Sequence, residues 1–186
     1  MKSRILLIDD DEHVLDGLRA ALRKKRYRML ATTSPEEGLR MLEECGADVV
    51  VSDENMPEMS GTRLLSHVAE RHPETMRIML TGATSLDVAL AALNAGDVHR
   101  YLTKPCRPSE LALAIDQVLE VQQLRRDGQR LLRLARRQQS ALRELAPLHP
   151  ALGALLADED AFLLDEDDDA TLESVARDAE RRRFGF

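Results

Sequence analysis

The sequence is poor in the residues on which several common functions depend. It has no Trp, two Tyr and three Phe among 186 residues, which argues against a nucleic-acid surface built from stacked aromatic rings. Its two cysteines, Cys45 and Cys106, are too few for a disulfide framework or a structural zinc site. No apolar run reaches the roughly 18 residues that a transmembrane helix needs, and the four apolar residues after Arg4 are too few for a signal peptide. We therefore expect a cytoplasmic protein that does not associate with membranes.

Charge is distributed unevenly along the chain and divides it into three segments. The net charge is −7 overall, but residues 122–146 contain seven Arg against two acidic residues. Residues 147–186 contain 11 acidic residues against four Arg. We expect a globular domain over 1–121, a helical extension over 122–146 and an acidic, partly disordered tail over 147–186, in which 171–183 has the spacing of a short helix.

The first 121 residues alternate short apolar runs with segments of helical periodicity. Five runs read as buried strands, at residues 5–8, 27–32, 49–51, 76–80 and 100–103. Ser34, Pro35 and Glu37 carry the signals of a helix start, and another helix is predicted over 85–95. This alternation indicates a doubly wound α/β fold whose five-stranded parallel sheet is covered on both faces. We expect the flavodoxin-like strand order 2-1-3-4-5.

Charged and polar residues follow the predicted strands. Asp9 and Asp10 follow the first strand, Asp53 the third, Thr81 the fourth and Lys104 the fifth. The carboxyl ends of parallel strands flank a crevice where the strand order reverses. With the order 2-1-3-4-5, the first and third strands are neighbours, so the three carboxylates are expected to converge there.

Such a group of side chains suits one kind of chemistry. Three crowded carboxylates repel one another unless a cation is present, and a hard divalent ion such as Mg²⁺ relieves the repulsion. An ionised Asp beside Mg²⁺ and a Lys can attack phosphorus and form an aspartyl phosphate. A metal, an ammonium group and a hydroxyl group can together neutralise the phosphoryl oxygens during the transfer.

Four ordered segments resemble the receiver domain of two-component response regulators, over about residues 3–121. They are residues 5–11 (ILLIDDD), 50–61 (VVSDENMPEMSG), 78–83 (IMLTGA) and 101–105 (YLTKP). The resemblance implies that Asp53 is the phosphoryl acceptor. It also implies that Asp9, Asp10 and Asp53 hold Mg²⁺ together with the backbone carbonyl of Asn55.

The same resemblance assigns the remaining site residues and the partner. Thr81 would donate a hydrogen bond to the phosphoryl group, and Lys104 would pair with it. Thr81 and Tyr101 would form the switch, with Tyr101 moving inward. The phosphoryl donor would be a histidine kinase or a histidine phosphotransfer protein. We expect no enzyme activity beyond self-catalysed phosphorylation and slow self-dephosphorylation. Residues 96–101 (GDVHRY) are one residue longer than the commonest pattern and resemble receivers fused to HD-type phosphohydrolases.

Another enzyme class shares part of this pattern. Asp9, Asp11, Thr81 and Lys104 superficially resemble haloacid-dehalogenase-type phosphatases. Those enzymes have Thr or Val two residues beyond the second Asp, where this sequence has His13. They also have a further pair of acidic residues after the Lys, whereas residues 105–108 of this sequence contain none. We therefore set this class aside.

A long helix is predicted from a cap at Ser109 to the residue before Pro147. Beyond the domain it carries a heptad repeat, consisting of Val121, Leu124, Gly128, Leu131, Ala135, Gln138, Leu142 and Leu145. Such an apolar seam predicts a coiled coil, and we expect a homodimer. The alternative is a single helix that folds back on the domain.

Three functions remain open. The first is a response regulator whose extension and tail contact an unidentified protein target. The second is a DNA-binding regulator that uses the arginines of the extension. We disfavour nucleic acid as a partner, because these arginines lie alongside the seam instead of preceding it. The third is a phosphate sink or relay receiver without an output of its own.

Overall fold

A computed structural model describes residues 2–82, 91–93 and 96–145, with side chains up to residue 141. The residue contacts divide the chain after Gln122, into a first unit, Met1–Gln122, and a second unit, Gln123–Phe186. Most of the helix predicted over 85–95 lies outside the described residues, although 91–93 are helical. The predicted tail over 147–186 lies outside them as well.

The first unit is built on a five-stranded parallel sheet. Its strands are β1 (Arg4–Ile8), β2 (Arg28–Thr32), β3 (Val49–Asp53), β4 (Met76–Thr81) and β5 (Arg100–Thr103). Their order is β2-β1-β3-β4-β5, and every neighbouring pair is parallel. The predicted fold class and strand order are confirmed.

Burial explains why the three central strands are largely apolar. Every residue of β3 and β4 is buried, as are the last four residues of β1. Strands that are covered on both faces cannot alternate apolar and polar residues. The cover comes from α1 (Glu12–Leu22), α2 (Pro35–Cys45), α3 (Gly61–Arg71) and the first turns of a long helix, Pro108–Leu145.

Side-chain caps fix where the three shorter helices begin. Ser34 caps α2 by accepting a hydrogen bond from Glu37 N at 3.4 Å, with Pro35 at the first helical position, as predicted. Asp11 caps α1 through His13 N at 2.8 Å. Each cap satisfies an amide that has no partner within its helix.

The long helix begins one residue earlier than its predicted cap. It starts at Pro108 and runs without a break for 38 residues, so the prediction that Ser109 caps it is wrong. Glu110 instead accepts a hydrogen bond from Arg107 N at 3.1 Å. Proline is favoured at the first helical position, and a Glu two residues later can accept a hydrogen bond from the amide just before the helix. Together these two residues form a stronger start signal than the serine between them.

The heptad positions of the second unit whose side chains are described are exposed in a single chain. Leu124 and Leu131 are 59% and 66% exposed, and Ala135 and Gln138 are also exposed. The side chains of Leu142 and Leu145 lie outside the described residues. The coiled coil stays a prediction. None of the described helices is long and apolar enough to cross a membrane.

Replacing Gly128 by Ala is expected to stabilise the long helix. A Cβ atom at this position would meet nothing within 4 Å, and Ala is preferred over Gly inside a helix by about 1 kcal/mol. Far-UV circular dichroism during thermal unfolding should show higher helicity for Gly128→Ala. The reverse change at a matched position, Ala135→Gly, should lower the helicity. A loss of helix in Gly128→Ala would mean that the glycine lies against another surface.

A buried arginine that the sequence pattern did not reveal secures the start of β5. Arg77 is 5% exposed. Its guanidinium group donates hydrogen bonds to the carbonyls of Thr75 (2.8 Å), Gly96 (3.2 Å) and Asp97 (2.8 Å). Because these acceptors belong to segments that are distant in sequence, this one side chain holds the turn before β5 against the start of β4.

Asp116 joins the first turns of the long helix to the segment before β2. Its carboxylate accepts hydrogen bonds from Lys25 Nζ at 2.7 Å and from the hydroxyl of Tyr27. Burial raises the pKa of Asp116, but the bonds from Lys25 and Tyr27 outweigh it, so the pKa lies below the usual value. A depressed pKa stabilises the fold above the pKa of the unfolded chain, and this contribution is lost as the pH falls through the folded value.

Asp116→Asn should therefore weaken the fold at neutral pH and have little effect in acid. Because the side chain is about half exposed, the loss in unfolding free energy should be no more than about 1 kcal/mol at pH 7. The difference from the unmodified chain should vanish as the pH falls below the lowered pKa of the folded carboxyl group. Denaturant unfolding at several pH values measures this. Asp16→Asn, whose exposed partner is Arg19 at 3.4 Å, is the control, and an equal loss there would contradict the assignment.

Candidate functional site

Parallel pairing brings three charged side chains together at the carboxyl edge of the sheet. Asp9 follows β1, Asp53 ends β3 and Lys104 follows β5. Strands β1 and β3 pair up to Ile8 and Ser52, which places the two aspartates side by side. The amide of Lys104 donates to the carbonyl of Thr81 at 2.7 Å, which fixes the lysine to the end of β4.

Lys104 bridges the two aspartates. Its Nζ atom lies 2.7 Å from Asp9 Oδ2 and 2.7 Å from Asp53 Oδ1. Both carboxylates are buried, and the lysine is about one-third exposed. Burial lowers the pKa of Lys104, but its close contacts with the negatively charged Asp53 and Asp9 raise it more, so the net shift is upward. The lysine is therefore held in its charged form beside Asp53.

The two oxygen atoms of Asp53 have different surroundings. Oδ2 accepts a hydrogen bond from Asn55 N at 2.9 Å. Oδ1 is buried and, among the described residues, accepts no hydrogen bond of good angle. Its 2.7 Å contact with Lys104 Nζ is thus an ion pair by distance. A buried carboxylate oxygen in this state is open to a further cation or donor.

The chemistry of these donors suits Mg²⁺, although they are not gathered around one point. Within the described ranges, no three His, Cys, Asp or Glu side chains are grouped as a metal site. Both oxygens of Asp9 have partners, which are Asp11 N at 3.1 Å and Lys104, and Asp10 is exposed. Carboxylate and carbonyl oxygens are the ligands that Mg²⁺ takes in proteins, and Asp53 Oδ1 has no competing hydrogen bond. These types of donor therefore fit the ion. In the present arrangement the ammonium group of Lys104 is the cation that lies between Asp9 and Asp53.

The two predicted switch residues lie farther from these contacts. Thr81 is completely buried, and its hydroxyl group donates to Gly82 O at 3.2 Å. No hydrogen bond between described residues joins this hydroxyl group to Asp53 or Lys104. The ring of Tyr101 is partly buried and packs against the hydrophobic core. The peptide bond between Lys104 and Pro105 is cis.

The segment after Asp53 is fixed by a close backbone approach at Gly61. A Cβ atom on this residue would lie 2.1 Å from Asp53 O and 3.0 Å from Glu54 Cα. Only a residue without a side chain fits where the first turn of α3 meets the end of β3. Gly61 N also donates to Glu54 O at 3.0 Å.

Two features at this edge were missed by reasoning from the sequence. Asp11 caps α1, a role that was not predicted, although an Asp directly before a helical pattern is a signal that points to a cap. Glu54 is buried and bonded to Thr62. No local pattern gives that contact, because Glu54 follows a strand and Thr62 belongs to the next helix.

Comparison with known proteins agrees with this geometry. The response regulator receiver domain family matches residues 5–116. The hydrogenase transcriptional regulatory protein HoxA of Cupriavidus necator is 32% identical over 130 residues, covering 70% of this chain and 27% of HoxA. The chain spans about a quarter of the length of the curated relatives it matches.

Solved structures show the same fold. A response regulator receiver domain protein from Clostridium thermocellum has 34% identity and a TM-score of 0.62, and covers 66% of this chain and 98% of that one. The signal receiver domain of an HD domain-containing protein from Pseudomonas fluorescens Pf-5 has 35% identity and a TM-score of 0.63, and covers 68% of this chain and 93% of that one. This receiver belongs to a protein with an HD domain, and residues 96–101 of the present chain resemble receivers of that kind.

The fold, the acidic edge and the family match together define a signalling domain. The chain belongs to the response regulator receiver domain family of two-component systems.

Proposed function

We propose that this chain accepts a phosphoryl group on Asp53 from the phosphohistidine of a histidine kinase or phosphotransfer protein. The observation that carries the proposal is the Asp53 carboxylate, which is buried and lies 2.7 Å from Lys104 Nζ, and whose Oδ1 accepts no hydrogen bond of good angle from the described residues. In the transfer, a carboxylate oxygen of Asp53 forms a bond to phosphorus as the bond between phosphorus and the donor histidine breaks. The electron pair of the breaking bond stays on the imidazole nitrogen, which takes up a proton, and the phosphoryl group carries the same charge before and after the transfer.

The neighbouring side chains position and neutralise these groups. Lys104 remains positive between Asp9 and Asp53 and can pair with the incoming phosphoryl group. The Asn55 amide holds one oxygen of Asp53 and so fixes the direction of the carboxylate. We assign Thr81 to a hydrogen bond with the phosphoryl group and Tyr101 to the switch. Both assignments require the side chains to move from their present positions.

Mg²⁺ would be held by the carboxylates of Asp9, Asp10 and Asp53 and by the carbonyl of Asn55. When bound, it would neutralise negative charge on the transferring phosphoryl group. The exposed position of Asp10 suits a ligand that reaches a hydrated ion from the solvent side.

A direct test is to incubate the purified chain with acetyl phosphate, with Mg²⁺ or with a chelator. We expect one phosphoryl group per chain by intact mass in the presence of Mg²⁺, and loss of that group under alkaline conditions. No mass increase in either sample would contradict the proposal. An equal increase with the chelator would contradict the role of the metal.

We further propose that the output is a protein–protein contact made by the helical extension, 122–146, and the tail, 147–186. The support is the continuity of the long helix, which is packed in the core at Leu111 and Val118 and runs on to Leu145. The extension is therefore connected to the core through one continuous helix, along which a shift in its first turns could be passed. The exposed Leu124 and Leu131 support a homodimer through the heptad positions.

Beryllofluoride, a phosphoryl mimic, tests this coupling. Solution scattering and mass in solution should change on addition of beryllofluoride and Mg²⁺, and should stay constant for Asp53→Asn. If the scattering curve and mass of the unmodified chain were the same with and without beryllofluoride, the proposed coupling would be contradicted.

DNA binding through the extension is a second candidate. Arg130, Arg133 and Arg137 are exposed on the long helix, and HoxA carries the name of a transcriptional regulatory protein. Retention of random-sequence DNA in a gel shift at physiological salt, lost on replacing these three arginines by Gln, would favour this candidate. No retention would leave protein contact as the output.

A further inference from the structure

A second buried carboxylate lies next to the proposed phosphoryl acceptor and has no role in the function proposed above. Glu54 follows Asp53 directly and is only 7% exposed. A buried carboxylate is costly unless donors satisfy it, so its partners indicate what it does.

The side chain of Glu54 is held by one residue of α3. Its Oε2 atom accepts hydrogen bonds from Thr62 N at 2.8 Å and from Thr62 Oγ1 at 2.7 Å. Thr62 lies in the first turn of α3, whose amides have no partners within the helix. A negative charge at this end of a helix is also favoured by the helix dipole. The carboxylate is therefore a second anchor for α3, beside its cap Ser60, whose hydroxyl group accepts a hydrogen bond from Arg63 N at 3.3 Å.

The backbone of Glu54 is fixed as well. Glu54 N donates to Leu80 O at 2.9 Å, and Glu54 O accepts from Gly61 N at 3.0 Å. Glu54 precedes the short loop at residues 55–60, and its side chain and carbonyl are bonded to Thr62 and Gly61, which follow that loop. These bonds hold the two ends of the loop together. That loop carries Asn55, whose amide holds Asp53 Oδ2 at 2.9 Å.

From this arrangement we infer that Glu54 is a positioning residue for phosphoryl transfer at Asp53. It acts through Thr62: the bond between them holds the 55–60 loop in place, and the loop in turn sets the position of the Asn55 amide and carbonyl. The inference rests on the proposed function, since it presupposes that Asp53 is the acceptor. A displacement of about 1 Å in a site of this kind costs up to about a hundredfold in rate.

Four variants of the full chain separate hydrogen bonding from charge. Glu54→Ala removes both bonds, and Thr62→Val removes the hydroxyl bond alone. Glu54→Gln removes the charge but keeps an oxygen that can accept both bonds. Glu58→Gln is the matched control, because it removes an exposed carboxylate from the same loop.

The measurement is the initial rate of phosphorylation by acetyl phosphate as a function of Mg²⁺ concentration, below the unfolding temperature of every variant. We expect Glu54→Ala to be slowed at least about tenfold and Thr62→Val less. Both should need more Mg²⁺ for half of the maximal rate, because the Asn55 carbonyl is displaced. Glu54→Gln and Glu58→Gln should stay within about threefold of the unmodified chain. The double variant Glu54→Ala/Thr62→Val should be no slower than Glu54→Ala alone, because both changes remove the same contact.

Any other result of this experiment would contradict a specific part of the inference. Rates and Mg²⁺ requirements equal to those of the unmodified chain in Glu54→Ala and Thr62→Val would limit Glu54 to a structural role. If Glu54→Gln were as slow as Glu54→Ala while Glu58→Gln was unaffected, charge and not positioning would be responsible. An unmodified chain that takes up no phosphoryl group would end the proposed function, and the inference with it. If Glu54→Ala fails to fold, Glu54→Gln and Thr62→Val still decide between these outcomes.

Discussion

Asp53→Asn is expected to abolish phosphorylation while leaving the fold intact. The amide that replaces the carboxylate is not a nucleophile toward phosphorus, and the other carboxylate in contact with Lys104, that of Asp9, has both oxygens engaged by Asp11 N and Lys104. The carbonyl oxygen of the new side chain can still accept the hydrogen bond from Asn55 N, now 2.9 Å from Asp53 Oδ2. The rate with acetyl phosphate and Mg²⁺ should fall at least about a thousandfold, as when a catalytic nucleophile is removed.

Two comparisons make this prediction specific. Far-UV circular dichroism and the unfolding midpoint of Asp53→Asn should remain close to those of the unmodified chain. Asp16→Asn, which removes an exposed carboxylate from α1, should be phosphorylated normally. Phosphoryl uptake by Asp53→Asn at the original rate would show that another residue is the acceptor.

Gly61→Ala is expected to damage both the stability of the first unit and the phosphorylation site. The new methyl group would lie 2.1 Å from the carbonyl oxygen of Asp53 and 2.9 Å from its carbonyl carbon. These are backbone atoms at the end of a buried strand, so neither can turn away as a flexible side chain would. Overpacking of this kind costs about 1–3 kcal/mol. Moving β3 and α3 apart should also slow phosphorylation by at least about tenfold.

Gly17→Ala is the matched control for this change. Gly17 lies within α1, where an added Cβ atom meets nothing within 4 Å, so the substitution should leave the site unchanged and stabilise the helix slightly. Denaturant unfolding and the initial rate of phosphorylation report the two effects. Unchanged stability and rate in Gly61→Ala would mean that α3 can retreat from Asp53 without cost.

The fold was predictable because short-range signals agree with one another. Continuous apolar runs mark the buried strands, and Ser34 with Pro35 marks the start of α2. Aspartates after β1 and β3 were expected to meet because parallel neighbours end at one edge, and the structure places Asp9 and Asp53 on the same lysine. The start of the long helix was missed by two residues because Ser109 and Pro108 both resemble start signals, and the bond from Arg107 to Glu110 decides between them.

The contacts that hold the site together were not predictable in the same way. The hydrogen bonds of Arg77 and the bonds between Glu54 and Thr62 join residues in different elements, so no local periodicity records them. Nor does a strand-end pattern tell which oxygen of Asp53 is bonded and which is open. These details depend on how the loops pack after the sheet has formed. Which strand-end residues lie next to one another depends only on the order of the strands in the sheet.

The account depends most on Asp53 becoming an acyl phosphate. Treating the phosphorylated chain with borohydride converts an aspartyl phosphate to homoserine, and peptide mass spectrometry then locates the modified residue. We predict homoserine at position 53 in the sample prepared with acetyl phosphate and Mg²⁺, and aspartate there in the untreated chain. Homoserine at Asp9, Asp10 or any other position, with aspartate retained at 53, would contradict the account.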